Sequence, residues 1–247
     1  MERTKNYRSK IYKYYSSRRI GKLAPDTVGG FKPRAPYFEK VIREHFPQDK
    51  TSKILEIGCG HGAFLYYVQE AGYANSEGVD TSQEQVQEAH RLGIVSVQQG
   101  NLVEHLQGID GNTVDVLIAF DVLEHFTKDE LSDLVDELYR VLKKGGIVIS
   151  HQPNGEGPFG NFMRHWDFTH ELAFTRQSIA QLFLSSGFAK VQSYEDKPVI
   201  HGMKSFVRYV LWEFVLRQIY RLRMVIETGG CDHNALFSLN FLTVAEK

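Results

Sequence analysis

The sequence predicts an α/β fold, a doubly wound and mostly parallel sheet with helices on both faces. Three features carry that prediction. Short β-type runs alternate with amphipathic helical stretches from residue 53 to residue 195. A glycine-rich turn, Gly58-Cys-Gly-His-Gly62, joins the first such run to a helix. Val114-Asp-Val-Leu-Ile-Ala-Phe120 is almost continuously apolar, as a central strand buried on both faces must be.

Residues 1–36 read as a basic N-terminal arm or lid, punctuated at its end by Gly29-Gly30, Pro33 and Pro36. Within residues 1–22, Arg3, Lys5, Arg8, Lys10, Lys13, Arg18, Arg19 and Lys22 stand against one acid, Glu2. The whole chain carries −1, so residues 1–22 at +7 leave −8 on the rest. Tyr7, Tyr12, Tyr14 and Tyr15 are interleaved. Such a segment suits phosphates, nucleic acid or an anionic bilayer, and equally a solvated arm covering an acidic body.

Residues 37–247 read as one domain. A helix over 37–46 ends at Pro47. Strand 53–57, helix 63–71, strand 76–80 and helix 82–92 follow, with Ser82 as N-cap. A third strand falls near 94–98. Asp110-Gly-Asn112 is a turn before the apolar strand 114–120. Helix 128–142 carries apolar residues at 131, 134, 135, 138, 141 and 142, a 3.6-residue stripe. Lys143-Lys-Gly-Gly146 is expected to cap it and lead into strand 147–150. A Gly/Pro-rich loop, helix 176–186 and strand 188–195 come next. An insertion, 197–240, precedes a last strand at 241–245. Its apolar-basic stretch 203–226 is a clean amphipathic helix as far as Val215. Beyond it Arg217 and Arg221 rotate onto the apolar side. That stretch suits a membrane surface, a lid over the substrate pocket, or the seam of a homodimer.

Apolar residues make up 42% of the chain and charged residues 24%, so an ordinary buried core is within reach. Two cysteines, Cys59 and Cys231, rule out a disulfide framework. With no apolar leader segment and no run long enough to span a bilayer, the chain is expected to be cytoplasmic, at most membrane-peripheral.

Ligands of doubly wound sheets sit beyond the carboxyl ends of the strands. There the first strand carries Glu56, the turn supplies Gly58, Gly60 and Gly62, and the second strand ends in Asp80. Strand, glycine turn, helix, strand, acid is the layout of a nucleoside-binding unit, the acid accepting from ribose hydroxyls. The G-x-G-x-G spacing after Leu55-Glu-Ile57 resembles motif I of the class I S-adenosylmethionine (SAM) methyltransferases. That resemblance implies a Rossmann-like seven-stranded sheet with an antiparallel last strand, and SAM as cofactor. It implies that Asp80, with Thr81 beside it, holds the ribose, and that Glu56 lies near the amino-acid end. Gly58, Cys59 and Gly60 would lie against the methionine part, Asn101 and Leu102 near adenine, and Phe120 and Val122 along the cofactor. Asn101 departs from the family's usual acid.

Asp121-Val-Leu-Glu-His125 resembles the small-molecule branch. Trp166-Asp-Phe-Thr-His-Glu-Leu-Ala-Phe-Thr175 resembles members that O-methylate sugars and cell-surface glycans. No Asn/Asp-Pro-Pro-Tyr/Phe motif, which family members methylating nucleobases or glutamine carry, follows the fourth strand; a DNA or protein-amide acceptor is therefore disfavoured, and nucleic acid is not the expected partner. The expectation is an O-methyltransferase acting on a sugar hydroxyl in polysaccharide or secondary-metabolite biosynthesis. Its acceptor would be a small molecule or glycan, phosphate- or lipid-linked. A hydroxyl acceptor needs a general base. His170 is the first candidate, oriented by Asp167, and His151 the second. Asp121, Glu124 and His125 would share one face of a helix at i, i+3, i+4. Ubiquinone-biosynthesis O-methyltransferases resemble this in binding a divalent metal there, so a metal-dependent quinone or phenol O-methyltransferase is the less favoured alternative. A SAM-binding scaffold or sensor without turnover is the non-enzyme alternative.

Overall fold

The structure, a computed structural model, describes residues 7–15, 17 and 23–247. Glu2, Arg3, Lys5, Arg18, Arg19 and Lys22 of the arm lie outside the described residues. The elements run α1 (Tyr7–Tyr12), α2 (Ala35–His45), β1 (Ile54–Ile57), α3 (Ala63–Glu70), β2 (Ser76–Asp80), α4 (Gln83–Arg91), β3 (Val97–Gln99) and α5 (Leu102–Gln107). They continue with β4 (Val114–Phe120), α6 (Lys128–Val141), β5 (Leu142–Pro153), α7 (Gly160–Arg164), α8 (Arg176–Ser185) and β6 (Lys190–Glu195). The insertion holds α9 (Met203–Leu211), a π-helical turn (Trp212–Leu216) and α10 (Arg217–Thr228), before β7 (Asn240–Glu246).

The seven strands lie in the order β3-β2-β1-β4-β5-β7-β6. Strands β1 to β5 are parallel, and β7 enters antiparallel between β5 and β6. This is the Rossmann-like, doubly wound sheet that the motif pattern implies. The strand order reverses between β1 and β4, which opens a crevice at their carboxyl ends. Alternation along β4 feeds two cores. Val116, Ile118 and Phe120 pack with Phe38 and Phe64 of α2 and α3. Leu117 and Ala119 pack with Leu134 and Leu138 of α6.

Three expectations change. Helix α6 ends without a glycine cap: Leu142 is already extended (φ −66°, ψ 140°) and pairs with Val114. Strand β5 therefore runs to Pro153, and His151 sits inside it, opposite Phe120 and Leu242, rather than leaving its end. Helix α5 was not expected; Asn101 starts it by accepting from Val103 N and Glu104 N. In the insertion, the π turn adds a residue at the place where the apolar pattern breaks. Arg217 then points inward to Glu195 at 3.1 Å rather than joining the apolar side, and the apolar row continues on the solvent side.

Candidate active site

Two cavities meet at the strand ends. The larger, about 670 Å³, is bounded by Glu56, Gly58, Cys59, Gly60, Asp80, Thr81, Asn101, Leu102, Phe120 and Val122. Gly58 has φ +64°, and a Cβ there would stand 2.4 Å from Cγ2 of Val122. Only glycine fits. The N–H of Gly60 donates to Asp80 Oδ2 at 2.7 Å, and that of Ser82 to Oδ1 at 2.8 Å. Each carboxylate oxygen keeps a lone pair for a diol. Burial raises the Asp80 carboxyl above its ordinary range, against those two donors.

Glu56 is buried at the same cavity, and burial pushes its carboxyl up to about 8, against the lowering influence of Arg34. Its Oε2 has no hydrogen-bond partner. Arg34 lines this cavity as well. Together they offer an anion and a cation to a zwitterion. The sequence reading missed Arg34, because it precedes α2, far from any motif. Asn101 borders the cavity, but its side-chain oxygen is committed to capping α5, leaving only the amide to donate.

The smaller cavity, about 260 Å³, is lined by Glu124, Met163, Trp166, Asp167 and His170 among others. Tyr15, Asp121 and His125 line both cavities, so the two meet there. Helix α1 and Tyr15 after it lie at this junction. Arg8 pairs with Glu130 at 2.6 Å and donates to the His125 carbonyl at 3.1 Å. Tyr15 donates to Asp167 at 3.2 Å, and the Tyr7 hydroxyl donates to Glu171.

Asp167 serves His125 rather than His170. Its Oδ1 accepts from the Thr169 hydroxyl at 2.7 Å, and the Thr169 oxygen lies 2.8 Å from His125 Nδ1. A hydroxyl that donates to a carboxylate must accept from the imidazole, so His125 carries its proton on Nδ1 and leaves Nε2 bare. Burial, with His170 nearby, lowers the His125 pKa to about 4, so the ring is neutral at physiological pH. His170 also donates from Nδ1, to the Met163 carbonyl at 3.0 Å, and its Nε2 lies 3.9 Å from Glu124 Oε1.

His151 has no lone pair for base chemistry in this arrangement. Its Nδ1 is 2.6 Å from Asp121 and its Nε2 is 2.8 Å from Asp196. Burial opposes its charge, but the two carboxylates prevail and raise its pKa well above the ordinary value.

The expected metal set also changes. Asp121 takes a left-handed conformation (φ 55°) and turns to His151, and only a short 3-10 turn, Leu123–His125, follows. Among the described residues, the group with ligand atoms within 4.8 Å of one another is Glu124, His125 and His170. Glu124 is buried, with Oε2 unpartnered, and burial followed by Asp121 raises its pKa well above the ordinary value. Two imidazoles and one carboxylate suit a transition metal better than Mg²⁺.

Residues 32–193 match the methyltransferase-domain family. The chain belongs to it. This is a class I SAM-dependent methyltransferase, and its cavity fits SAM: a carboxylate for the ribose, a glycine cradle, and an orphaned buried acid beside an arginine. The methyltransferase is 25% identical over 253 aligned positions to the tRNA N(3)-cytidine methyltransferase METTL2 of Bos taurus, covering 85% of this chain and 66% of that protein. It spans between half and two thirds of the length of several such relatives. Among solved structures it is similar to a SAM-dependent methyltransferase from Archaeoglobus fulgidus (19% identity, 88% of this chain and 96% of that one, TM-score 0.65). It is also similar to geranyl diphosphate C-methyltransferase from Streptomyces coelicolor A3(2), solved with Mg²⁺, geranyl diphosphate and S-adenosyl-L-homocysteine (12% identity, 100% and 99%, TM-score 0.64). At these identities the structural likenesses speak for the fold.

Proposed function

We propose that this methyltransferase transfers a methyl group to a hydroxyl of a sugar, in surface-glycan or secondary-metabolite assembly. The observation that carries the reading is the smaller cavity. It opens off the cofactor cavity and offers carboxylates as acceptors for hydroxyls, an indole for a sugar face, and two imidazoles with bare Nε2 atoms.

Bound SAM supplies an electrophilic methyl. The chain supplies alignment, which is most of what a methyl transfer asks of a protein. Asp80 and the Gly58–Gly60 turn hold the nucleoside, while Glu56 and Arg34 hold the amino-acid end. Asp121 and the aromatic side chains orient the acceptor where the cavities meet. The Nε2 of His125 takes the hydroxyl proton, and the Thr169–Asp167 pair holds that ring in the required tautomer. Tyr12 and Tyr15 help to exclude water from the junction.

A second reading, methyl transfer to tRNA, has two observations in its favour. Curated relatives are named as tRNA N(3)-cytidine methyltransferases, and the arm is basic. Both readings are tested in one assay. The purified protein receives methyl-labelled SAM with nucleotide sugars and glycolipids, with quinones, or with tRNA. Label in the carbohydrate fraction supports the sugar reading. Label confined to tRNA or to quinones overturns it, and no label anywhere leaves a SAM-binding scaffold.

A further inference from the structure

Residues 203–228 form a helix whose amphipathicity is inverted. The side facing the body is polar or aromatic. Ser205 is buried and donates to the Gly202 carbonyl. Glu213 binds Lys197 at 2.8 Å, Arg217 binds Glu195 at 3.1 Å, and Tyr220 packs on Phe237. The side facing solvent is apolar: Met203 is 78% exposed, Phe214 67%, Leu222 60% and Ile226 75%. A helix packed only against its own domain turns its apolar stripe inward. This one keeps the stripe for something outside.

We infer that this face docks on the surface of an anionic bilayer, the helix lying in the plane of the headgroups. Charge selects that occupant. Lys204, Arg208 and Arg221 accompany the apolar row, and the two acids of the stretch, Glu213 and Glu227, are paired within the chain, Glu227 with Arg223. Two copies packed face to face would set cations against cations with no free acid to answer them. Anionic headgroups answer them directly, while the apolar side chains enter the acyl boundary. No helix among the described residues is long and apolar enough to cross a membrane, which fits a helix that lies on one.

The acceptor cavity is tied to the same region. Phe237, under Tyr220, sits between Leu236 and Ser238, whose carbonyls accept from Asn154. Asn240, two residues on, lines the cavity. Trp166 on the cavity wall is 61% exposed, and the neighbouring Phe168 is 82% exposed. A protein docked this way is served by an acceptor carried on a lipid.

The test is flotation of the full chain with vesicles of phosphatidylcholine alone and of phosphatidylcholine mixed with phosphatidylglycerol. The protein is expected to float with the mixed vesicles and not with the neutral ones, less so at high salt. Phe214→Glu and Leu222→Glu should each weaken partitioning by about tenfold or more, and the double reversal Lys204→Glu with Arg208→Glu should also weaken it. Adenosylhomocysteine binding should be unchanged in every variant, which certifies the fold. Flotation unaffected by these substitutions, or equal on neutral vesicles, overturns the inference. So does a dimer in solution that Phe214→Glu dissociates while vesicles capture nothing. No turnover is needed, so failure here leaves the sugar reading standing, and failure of that reading leaves this one.

Discussion

The carboxylate of Asp121 lies 2.6 Å from Nδ1 of His151, across the junction between β4 and β5. Asp121 reaches it from a left-handed backbone (φ 55°), a conformation tolerated by aspartate and asparagine but costly for most residues. With Asp196 on the other nitrogen, the imidazole is held as a buried cation. Its raised pKa means the folded state holds a proton that the unfolded chain releases. This stability is fully present below the ordinary histidine value and is lost as pH rises through the higher folded value. Asp121→Asn keeps the backbone and removes the charge. NMR titration of His151 should then show a lower pKa than in the parent protein, and the variant should unfold more easily at neutral pH by about 1–2 kcal/mol, Asp196 retaining part of the pairing. An unchanged His151 titration would show that Asp121 does not hold the proton.

Glu56 should make cofactor binding a proton-linked event. Burial pushes its carboxyl up to about 8, which leaves it mostly protonated at pH 7. That contribution to stability is present below the unfolded value of 4.5 and lost as pH rises through 8. An arriving ammonium group favours the carboxylate and expels the proton. Calorimetry with adenosylhomocysteine at pH 7, in buffers of different ionisation heat, should report release of roughly one proton. Glu56→Gln should abolish that release. A buffer-independent heat for the parent protein would refute the linkage.

The elements that set the fold were legible because their signals are local. The glycine turn, Asp80, the apolar run of β4 and the stripe of α6 each fix one piece, and the parallel order follows from their alternation. The residues that line the larger cavity were legible for the same reason, since they lie on short turns at fixed offsets. Other features depend on contacts across the chain. Arg34 reaches the cavity from 22 residues before Glu56. The allegiance of Asp167 to His125 rather than His170 depends on the turn that Thr169 makes with it. The left-handed Asp121 replaced a helical i, i+3, i+4 face that periodicity alone suggested. The π turn at Trp212–Leu216 shifts the phase of a helix, and no composition rule marks it.

His125 is expected to be the group whose loss costs most in turnover. His125→Gln should lower kcat by about 10²–10⁴ while leaving adenosylhomocysteine affinity unchanged. Thr169→Val should lower it less, by freeing the tautomer. The ring's depressed pKa gives a second signature. Stability from the buried neutral imidazole is complete above 6.5 and falls as pH drops through about 4, by roughly 3 kcal/mol in all. In the His125→Gln variant that acid loss should be smaller in denaturant titrations. Full turnover in the glutamine variant would move the base elsewhere, with His170 next in line.

Chelation separates the sugar reading from the quinone one. Glu124, His125 and His170 could hold a transition metal, but the proton transfer assigned to His125 needs its Nε2 bare. Exhaustive dialysis against a chelator should therefore leave turnover unchanged. Loss of activity, with return on adding Mg²⁺, Mn²⁺ or Zn²⁺, would favour the metal-dependent reading.

The contact between Gly58 and Val122 can be tested from both sides. Alanine at position 58 faces a left-handed backbone at φ +64° and a methyl 2.4 Å from its Cβ. The first costs about 1–2 kcal/mol and the second about 1–3 kcal/mol. Gly58→Ala should therefore lower stability by about 3 kcal/mol and weaken adenosylhomocysteine binding, because relief comes only by moving the turn that cradles the cofactor. Val122→Ala removes the obstructing methyl at the cost of a small cavity. The double variant should then be more stable than the sum of the two losses predicts, by about 1 kcal/mol or more. Strict additivity in urea unfolding would mean that the turn yields without touching Val122, and the steric account of this glycine would have to be abandoned.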